Sequence, residues 1–169
     1  MLLNREQICE LIPHRDPFLW LDEVVEFAGD RLLARKRIDH DLDVFRGHYP
    51  GQPVLPGVIL CEAAMQAGAV LIALGGRPAT NASDRSTVET QAQPDQLPDQ
   101  RTTVPPGHVP VATRINNVKF RRIVRPGDTL AIEVRLTDIV TKAYFLSATL
   151  KVEGQTVAQL DFGCALVPA

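Results

Sequence analysis

The sequence has little of what would indicate a secreted, disulfide-bonded or nucleic-acid-binding protein. Its 169 residues include three cysteines, which form no CxxC pair and no disulfide framework, as in reduced cytoplasmic proteins. The formal net charge of −2 argues against general affinity for nucleic acid or acidic membranes. The first residues lack the basic start and apolar run of a signal peptide. The length and the 45% of apolar residues predict a single cytoplasmic domain over residues 1–169.

Charge is absent from one long stretch, residues 57–74, except at Glu62. This apolar run predicts a buried α-helix, which Gly75 and Gly76 end. Its length would nearly span a bilayer, but an ionised Glu62 at mid-bilayer would cost about 2.5–3.5 kcal/mol. We therefore expect no membrane span, and a helix whose small residues allow close packing in a protein core.

Alternating apolar and polar residues predict strands on both sides of this helix. Period-two alternation with intervening hairpin turns is typical of an antiparallel meander. Asn4 is a suitable N-cap for a short first helix at residues 5–11. Together these elements predict an α+β fold in which a curved antiparallel sheet wraps around one long central helix. The predicted strands are residues 19–27, 31–39, 111–123, 129–140, 143–152 and 156–167.

Residues 77–110 differ in composition from the rest of the chain. They hold six of the thirteen prolines and no phenylalanine, tryptophan or tyrosine. Such a segment buries too little surface to offset the entropy lost when it is ordered. We predict that it is a mobile insertion within the single domain.

One histidine, His48, lies in the Gly/Pro-rich loop that precedes the apolar helix. Taken alone, it could be a surface-loop histidine without a role, and Glu62 could be a buried carboxylate paired with an arginine. Together they fit one mechanism. Proton abstraction beside a carbonyl, with departure of a β-hydroxyl, needs a group that titrates near neutral pH and a second acid–base group.

The start of the same helix supplies a third component. Pro56 suits the first helical turn, and the free N–H of Gly57 then points out of the helix N-terminus. A thioester carbonyl oxygen placed there would be polarised as an enolate forms, and glycine allows its close approach. Gln66 lies one turn after Glu62 on the same face, where it either holds the carboxylate or pairs with backbone.

These residues belong to a longer pattern. Residues 47–58, GHYPGQPVLPGV, and residues 62–66, EAAMQ, resemble the central motif of the β-hydroxyacyl-acyl carrier protein dehydratases of type II fatty acid synthesis, the FabZ type of the hot-dog fold superfamily. Residues 11–22 are similar to the N-terminal Pro-His-Arg-x-Pro-Phe segment of that family. Residues 118–128 resemble its later strand and Pro-Gly-Asp turn. The resemblance covers residues 6–75 and 111–166 in order.

This resemblance implies a hot-dog enzyme in which His48 is the catalytic base and Glu62 its acidic partner. It also implies that the Gly57 N–H binds the substrate carbonyl and that the Val54 carbonyl orients His48. The implied reaction converts 3-hydroxyacyl thioesters to trans-2-enoyl thioesters on the 4′-phosphopantetheine of acyl carrier protein, without a metal or other cofactor. The implied assembly is a homodimer, or a trimer of dimers, with shared sites. Glutamate at position 62, where the dehydratase-isomerase relatives carry aspartate, favours the plain dehydratase branch.

Four cations within seven residues form a cationic patch, which consists of Lys119, Arg121, Arg122 and Arg125. This patch is either a solvated strand face or a docking site for an acidic carrier protein.

The acidic run at residues 39–43 is expected to be a solvated turn rather than a metal site, and His14 to be structural. Three alternatives to the dehydratase stay open: a hot-dog acyl thioesterase, an enoyl-CoA hydratase and a non-catalytic acyl-binding partner subunit.

Overall fold

The structure is a computed structural model that describes residues 1–78 and 103–168. Within these ranges it has two α-helices, a 3-10 helix at Asp43–Arg46 and six β-strands. Asn4 caps the first helix, and its side chain and that of Gln7 form a reciprocal capping box. The elements are α1 (Arg5–Leu11), β1 (Glu23–Ala28), β2 (Arg31–Arg37), α2 (Gly57–Ala73), β3 (His108–Phe120), β4 (Thr129–Val140), β5 (Ala143–Val152) and β6 (Gln155–Pro168).

The six strands form one antiparallel sheet in the order β1-β2-β4-β5-β6-β3. The predicted meander is confirmed for β4, β5 and β6, which are joined by short turns. The third strand instead lies at the sheet edge beside β6, a pairing between distant segments that local alternation could not indicate. The structure thereby confirms the predicted α+β architecture, because α2 packs against β2, β3, β4, β5 and β6.

The central helix lies close to the sheet because its inward residues are small. Ala63, Ala64 and Ala67 are fully buried. At Gly68 a Cβ atom would lie 2.7 Å from the ring of Phe162 on β6, so only glycine fits there without movement of the ring. No helix in residues 1–78 and 103–168 is long and apolar enough to cross a membrane.

Two strand boundaries near the site differ from the prediction. The first strand begins at Glu23 rather than residue 19, because the backbone N–H of Trp20 donates to the Gln66 side chain instead of a neighbouring strand. The third strand runs from His108 to Phe120 rather than over residues 111–123. Its first three residues therefore lie inside the segment that composition assigns to the insertion.

The predicted insertion lies for its larger part, residues 79–102, outside the described residues. Its C-terminal flank returns to the end of α2. Thr103 N–H donates to the carbonyl of Ala73 at 2.9 Å, and the Thr103 hydroxyl donates to the carbonyl of Ile72 at 2.7 Å. These two bonds satisfy carbonyl groups that the end of a helix leaves without intrahelical partners.

Candidate functional site

The loop between Arg46 and α2 fixes the ring of His48. The backbone N–H of His48 donates to the Val44 carbonyl at 3.1 Å, and the His48 carbonyl accepts from Val54 N–H at 3.2 Å. The ring nitrogen Nδ1 lies 2.8 Å from the Val54 carbonyl oxygen. Because a carbonyl oxygen only accepts, Nδ1 carries a proton, and in the neutral ring Nε2 then keeps a free lone pair. The arrangement leaves His48 able to take up a proton at Nε2.

The N-terminus of α2 is close to this loop in sequence and carries no side-chain cap. Pro56 is the N-cap residue and Gly57 the first helical residue, so the Gly57 N–H has no intrahelical acceptor. The ring of Phe120, at the end of β3, lies over Gly57. A Cβ atom on residue 57 would lie 2.8 Å from Phe120 Cζ. This contact explains sterically why residue 57 is a glycine, and the sequence alone does not reveal it.

Glu62 is held by Gln66, which lies one helical turn later and is fully buried. Gln66 Nε2 donates to Glu62 Oε1 at 2.9 Å and to the Phe18 carbonyl at 2.8 Å. Gln66 Oε1 accepts from the backbone N–H of Trp20 at 2.7 Å, which only an oxygen can do and which therefore fixes the amide orientation. Both interpretations left open for Gln66, carboxylate support and backbone pairing, hold at once.

A second side chain that approaches Glu62 is His14, which was expected to be only structural. Its Nε2 lies 3.5 Å from Glu62 Oε1. Its Nδ1 is buried and has no hydrogen-bond partner among the described residues. Burial lowers the pKa of His14, the nearby Glu62 carboxylate opposes this effect, and Arg15 reinforces it. A histidine in a proline-rich turn carries no local signal of this contact, since residues 14 and 62 meet only through the fold.

His48 and Glu62 are not joined within one chain. In the parts of the chain that the structure describes, no hydrogen bond or ion pair links the two side chains. The His48 ring contacts the Val54 carbonyl and stacks on the Tyr49 ring at 4.1 Å between centroids, whereas Glu62 contacts Gln66 and His14. The two candidate residues therefore lie in two separate sets of contacts, one in the loop and one on α2.

The cationic patch runs from the end of β3 into the turn before β4. All four of its side chains are exposed, and none forms an ion pair within residues 1–78 and 103–168. Arg121 Nε donates to Gln159 Oε1 at 3.0 Å, and Arg122 donates to Gln155 Oε1. Two of its guanidinium groups thus bind neutral amides of β6, so no carboxylate of the described residues neutralises their positive charges.

The acidic run at residues 39–43 follows β2 and ends at the first residue of the 3-10 helix, and all its residues except the half-buried Leu42 are exposed. Asp43 pairs with Arg46 at 3.5 Å. No group of three histidine, cysteine, aspartate or glutamate side chains able to hold a metal ion occurs in the described ranges.

Comparisons with known proteins agree on one family. A family model described as a FabA-like domain matches residues 12–108. The 3-hydroxyacyl-acyl-carrier-protein dehydratase FabZ of Anaeromyxobacter dehalogenans is 36% identical over 162 residues, which is 95% of this chain and 88% of its own length. The FabZ dehydratase of Enterococcus faecalis is 35% identical over 95% of this chain and 96% of its own length. That of Clostridium acetobutylicum is 31% identical over 99% of this chain and 100% of its own length.

Solved structures with low sequence identity share the fold. The dehydratase heterocomplex ApeI:P from Xenorhabdus doucetiae matches with a TM-score of 0.65 at 14% identity, over 95% of this chain and 90% of that one. A thioesterase from Haemophilus influenzae matches with a TM-score of 0.55 at 16% identity, over 86% of this chain and 78% of that one. Because both identities are low, these matches establish the hot-dog architecture and leave the chemistry to the residues.

Proposed function

Since the chain belongs to the FabA-like family, among the FabZ-type 3-hydroxyacyl-acyl-carrier-protein dehydratases, we propose that His48 and Glu62 remove water from its 3-hydroxyacyl thioester substrate. The enzyme is a hydro-lyase of fatty acid synthesis. The observation that carries the assignment of roles is the 2.8 Å contact between His48 Nδ1 and the Val54 carbonyl. In the neutral ring this contact assigns the proton to Nδ1, so that Nε2 carries the lone pair that a general base requires.

In the proposed reaction His48 Nε2 takes the proton from the carbon next to the thioester carbonyl. The electron pair of that C–H bond forms the new carbon–carbon double bond, and the bond to the β-hydroxyl breaks. The leaving oxygen takes a proton from the carboxyl group of Glu62 and departs as water. The dehydration exchanges no electrons with an external carrier, so we propose that it needs no cofactor. The 4′-phosphopantetheine group is then only the tether of the substrate.

The Gly57 N–H is proposed to bind the thioester carbonyl. Negative charge develops on this oxygen as the α-proton leaves, and an uncapped helix N-terminus stabilises it through its N–H groups and dipole. The exposed ring of Phe120 beside Gly57 would cover the acyl thioester and exclude water from this position. A side chain at position 57 would push against both the ring and the substrate.

We propose that two copies of the chain assemble so that His48 of one faces Glu62 of the other. The edge strand β3 supports this arrangement, because its outer edge is unpaired in the sheet and residues 111–120 are all exposed. An open edge with apolar side chains invites pairing with another chain, and Val111, Ile115 and Val118 are each about 40% exposed here. Pairing along β3 would also bring Phe120, and with it the start of α2, towards the second copy.

The cationic patch is proposed to dock the acyl carrier protein. Four exposed cations without an acidic partner in residues 1–78 and 103–168 would attract an acidic surface, and added salt would weaken that attraction. The three cysteines, Cys9, Cys61 and Cys164, are all free thiols. Free thiols are typical of a reducing compartment, which supports the proposal that the protein meets its carrier in the cytoplasm.

The test is an assay with 3-hydroxyacyl thioesters on carrier protein, on coenzyme A and on pantetheine, recording enoyl absorbance and thiol release together. We expect enoyl formation without thiol release, fastest on the carrier. His48→Ala and Glu62→Gln should each lower turnover by about 10²–10⁴-fold. His40→Ala, at an exposed histidine, is the matched control and should turn over like the wild type.

Three other results would contradict the proposal. Thiol release would indicate a thioesterase. Turnover on coenzyme A but not on the carrier would indicate a coenzyme A-dependent hydratase. Tight binding of acyl thioesters by a folded, inactive protein would indicate a non-catalytic partner subunit.

A further inference from the structure

We propose that His14 is a positioning residue for Glu62, donating from Nε2 to Oε1 of the carboxyl group so that Oε2 faces the substrate. This inference rests on the proposed function of Glu62 and extends it, because it assigns one working oxygen and a second residue that selects it. His14 touches neither substrate nor reacting atoms.

The first support is that two side-chain nitrogens approach the same oxygen, one within hydrogen-bond distance and one just beyond it. Gln66 Nε2 lies 2.9 Å from Glu62 Oε1 and His14 Nε2 lies 3.5 Å from it. Glu62 Oε2 has no hydrogen-bond donor in residues 1–78 and 103–168. The His14 contact is long for a hydrogen bond, as hydrogen bonds of active sites often are before substrate binds. A carboxyl group with both donors on one oxygen carries its own proton on the other oxygen.

The second support is the unpartnered nitrogen of the same ring. His14 Nδ1 is buried without a hydrogen-bond partner. A proton placed there would be a buried donor without an acceptor, which costs about 1–3 kcal/mol. Because Nε2 faces a carboxyl oxygen, which accepts, a neutral ring with its proton on Nε2 can contact Glu62 without burying an unpaired N–H at Nδ1. The burial that lowers the pKa of His14 acts in the same direction.

The third support is that the backbone around His14 is fixed from both sides. Arg15 NH1 donates to the carbonyls of Ile12 and His14 at 2.8 and 2.7 Å. The His14 ring stacks on Phe18 at 6.4 Å between centroids. The carbonyl of Phe18 accepts from Gln66, the other donor to Glu62. Residues 12–18 thus hold His14 and also bind the Gln66 amide that α2 carries.

The functional consequence follows from geometry. A carboxyl group bound by one donor can rotate about its last torsion, which is broad for glutamate. Two donors at one oxygen restrict that rotation and keep Oε2 in one place. Since misplacement of a reacting group by about 1 Å can cost on the order of 10²-fold in rate, loss of His14 should lower kcat while leaving substrate binding intact.

The experiment compares His14→Phe, which keeps a ring to stack on Phe18 but removes both nitrogens, with His14→Gln, whose amide nitrogen can replace Nε2. We expect His14→Phe to lower kcat by up to about 10²-fold with little change in KM, and His14→Gln to restore most of the loss. His40→Phe is the matched control and should behave as the wild type. Wild-type kcat in His14→Phe, or equal losses in both His14 variants, would overturn the proposal.

A second measurement does not depend on activity. Nitrogen-15 NMR of the histidine rings should show His14 as the neutral tautomer protonated at Nε2, and Glu62→Gln should shift its Nε2 resonance. A proton on Nδ1, or no response to Glu62→Gln, would refute the contact. If the wild type failed to dehydrate its substrate, the proposed function would fall, while this spectrum would still decide whether His14 binds Glu62.

Discussion

Gln66 offers the most direct test of how the fold holds the proposed catalytic carboxyl group of Glu62 on α2. Its amide makes three hydrogen bonds, to Glu62, to the Phe18 carbonyl and to the Trp20 N–H, and it is fully buried. Gln66→Leu has a similar volume but can make none of them. The variant therefore removes the bonds with little change in packing.

The expected loss of stability follows from the two backbone groups that would be left without partners. An unsatisfied group costs about 1–3 kcal/mol, and the buried N–H of Trp20 near the upper value with the part-buried carbonyl of Phe18 near the lower one gives about 4 kcal/mol together. Burial of the leucine side chain offsets about 1.5 kcal/mol of this. The net destabilisation is about 2–3 kcal/mol, which for a chain of this length lowers Tm by about 5–10 °C.

Urea unfolding followed by circular dichroism, with a thermal scan, measures this loss. Gln52→Leu is the matched control, because Gln52 is exposed and its side chain makes no hydrogen bond in the described part of the chain. It should stay within about 0.5 kcal/mol of the wild type. We also expect Gln66→Leu to lower kcat, since Glu62 loses its shorter hydrogen bond. A variant as stable as Gln52→Leu would refute the assigned network.

Three further predictions concern charge. Asp22 accepts from buried Lys36 at 2.7 Å and from Arg5 at 2.8 Å. Asp22→Asn leaves the Lys36 ammonium without a charged partner and should lower the free energy of unfolding, measured in urea, by on the order of 3 kcal/mol, whereas Lys36→Met, which removes the buried charge, should lower it clearly less. Folding lowers the pKa of His14, so below about pH 6.5 the unfolded chain binds a proton that the folded chain does not, and the free energy of unfolding of the wild type falls there. The destabilisation caused by His14→Phe, which lacks this group, should therefore shrink between about pH 7.5 and pH 5, and an unchanged difference would contradict the burial of the His14 ring. Charge reversal across the cationic patch, or added salt, should raise KM for the carrier-bound substrate and leave turnover of a pantetheine thioester nearly unchanged, and equal effects on both substrates would exclude docking there.

The sequence contained enough information to predict most of the fold. The bounds of α1, β4 and β5 agree with the predicted ones, because a capping residue or a hairpin turn marks each end locally. The placement of β3 next to β6 was not predictable, because it depends on pairing between residues far apart in the chain, from Phe120 with Ala158 to His108 with Pro168, rather than on any local pattern. The irregular course of residues 19–22 likewise depends on a hydrogen bond to Gln66, a residue on another element.

The candidate site was predictable only where its residues share a local segment. The family resemblance implied that the Val54 carbonyl lies against His48, and the one-turn spacing allowed Gln66 to reach Glu62; the structure has contacts of 2.8 Å and 2.9 Å at these two places. The approach of His14 to Glu62 and the position of Phe120 over Gly57 arise from tertiary packing. Physical reasoning from alternation and charge offers no way to anticipate such long-range contacts.

The central claim is that His48 of one subunit acts with Glu62 of the other, and mixing two inactive variants tests it most directly. His48→Ala and Glu62→Gln are refolded together in equal amounts, and subunit exchange is verified by native mass spectrometry. Half of the dimers are then mixed, and each mixed dimer has one intact and one doubly damaged site, so the account predicts recovery of about a quarter of wild-type activity per protein. Mixtures that exchange subunits and stay inactive would contradict it, because a site built from one chain cannot be restored by any pairing of these variants.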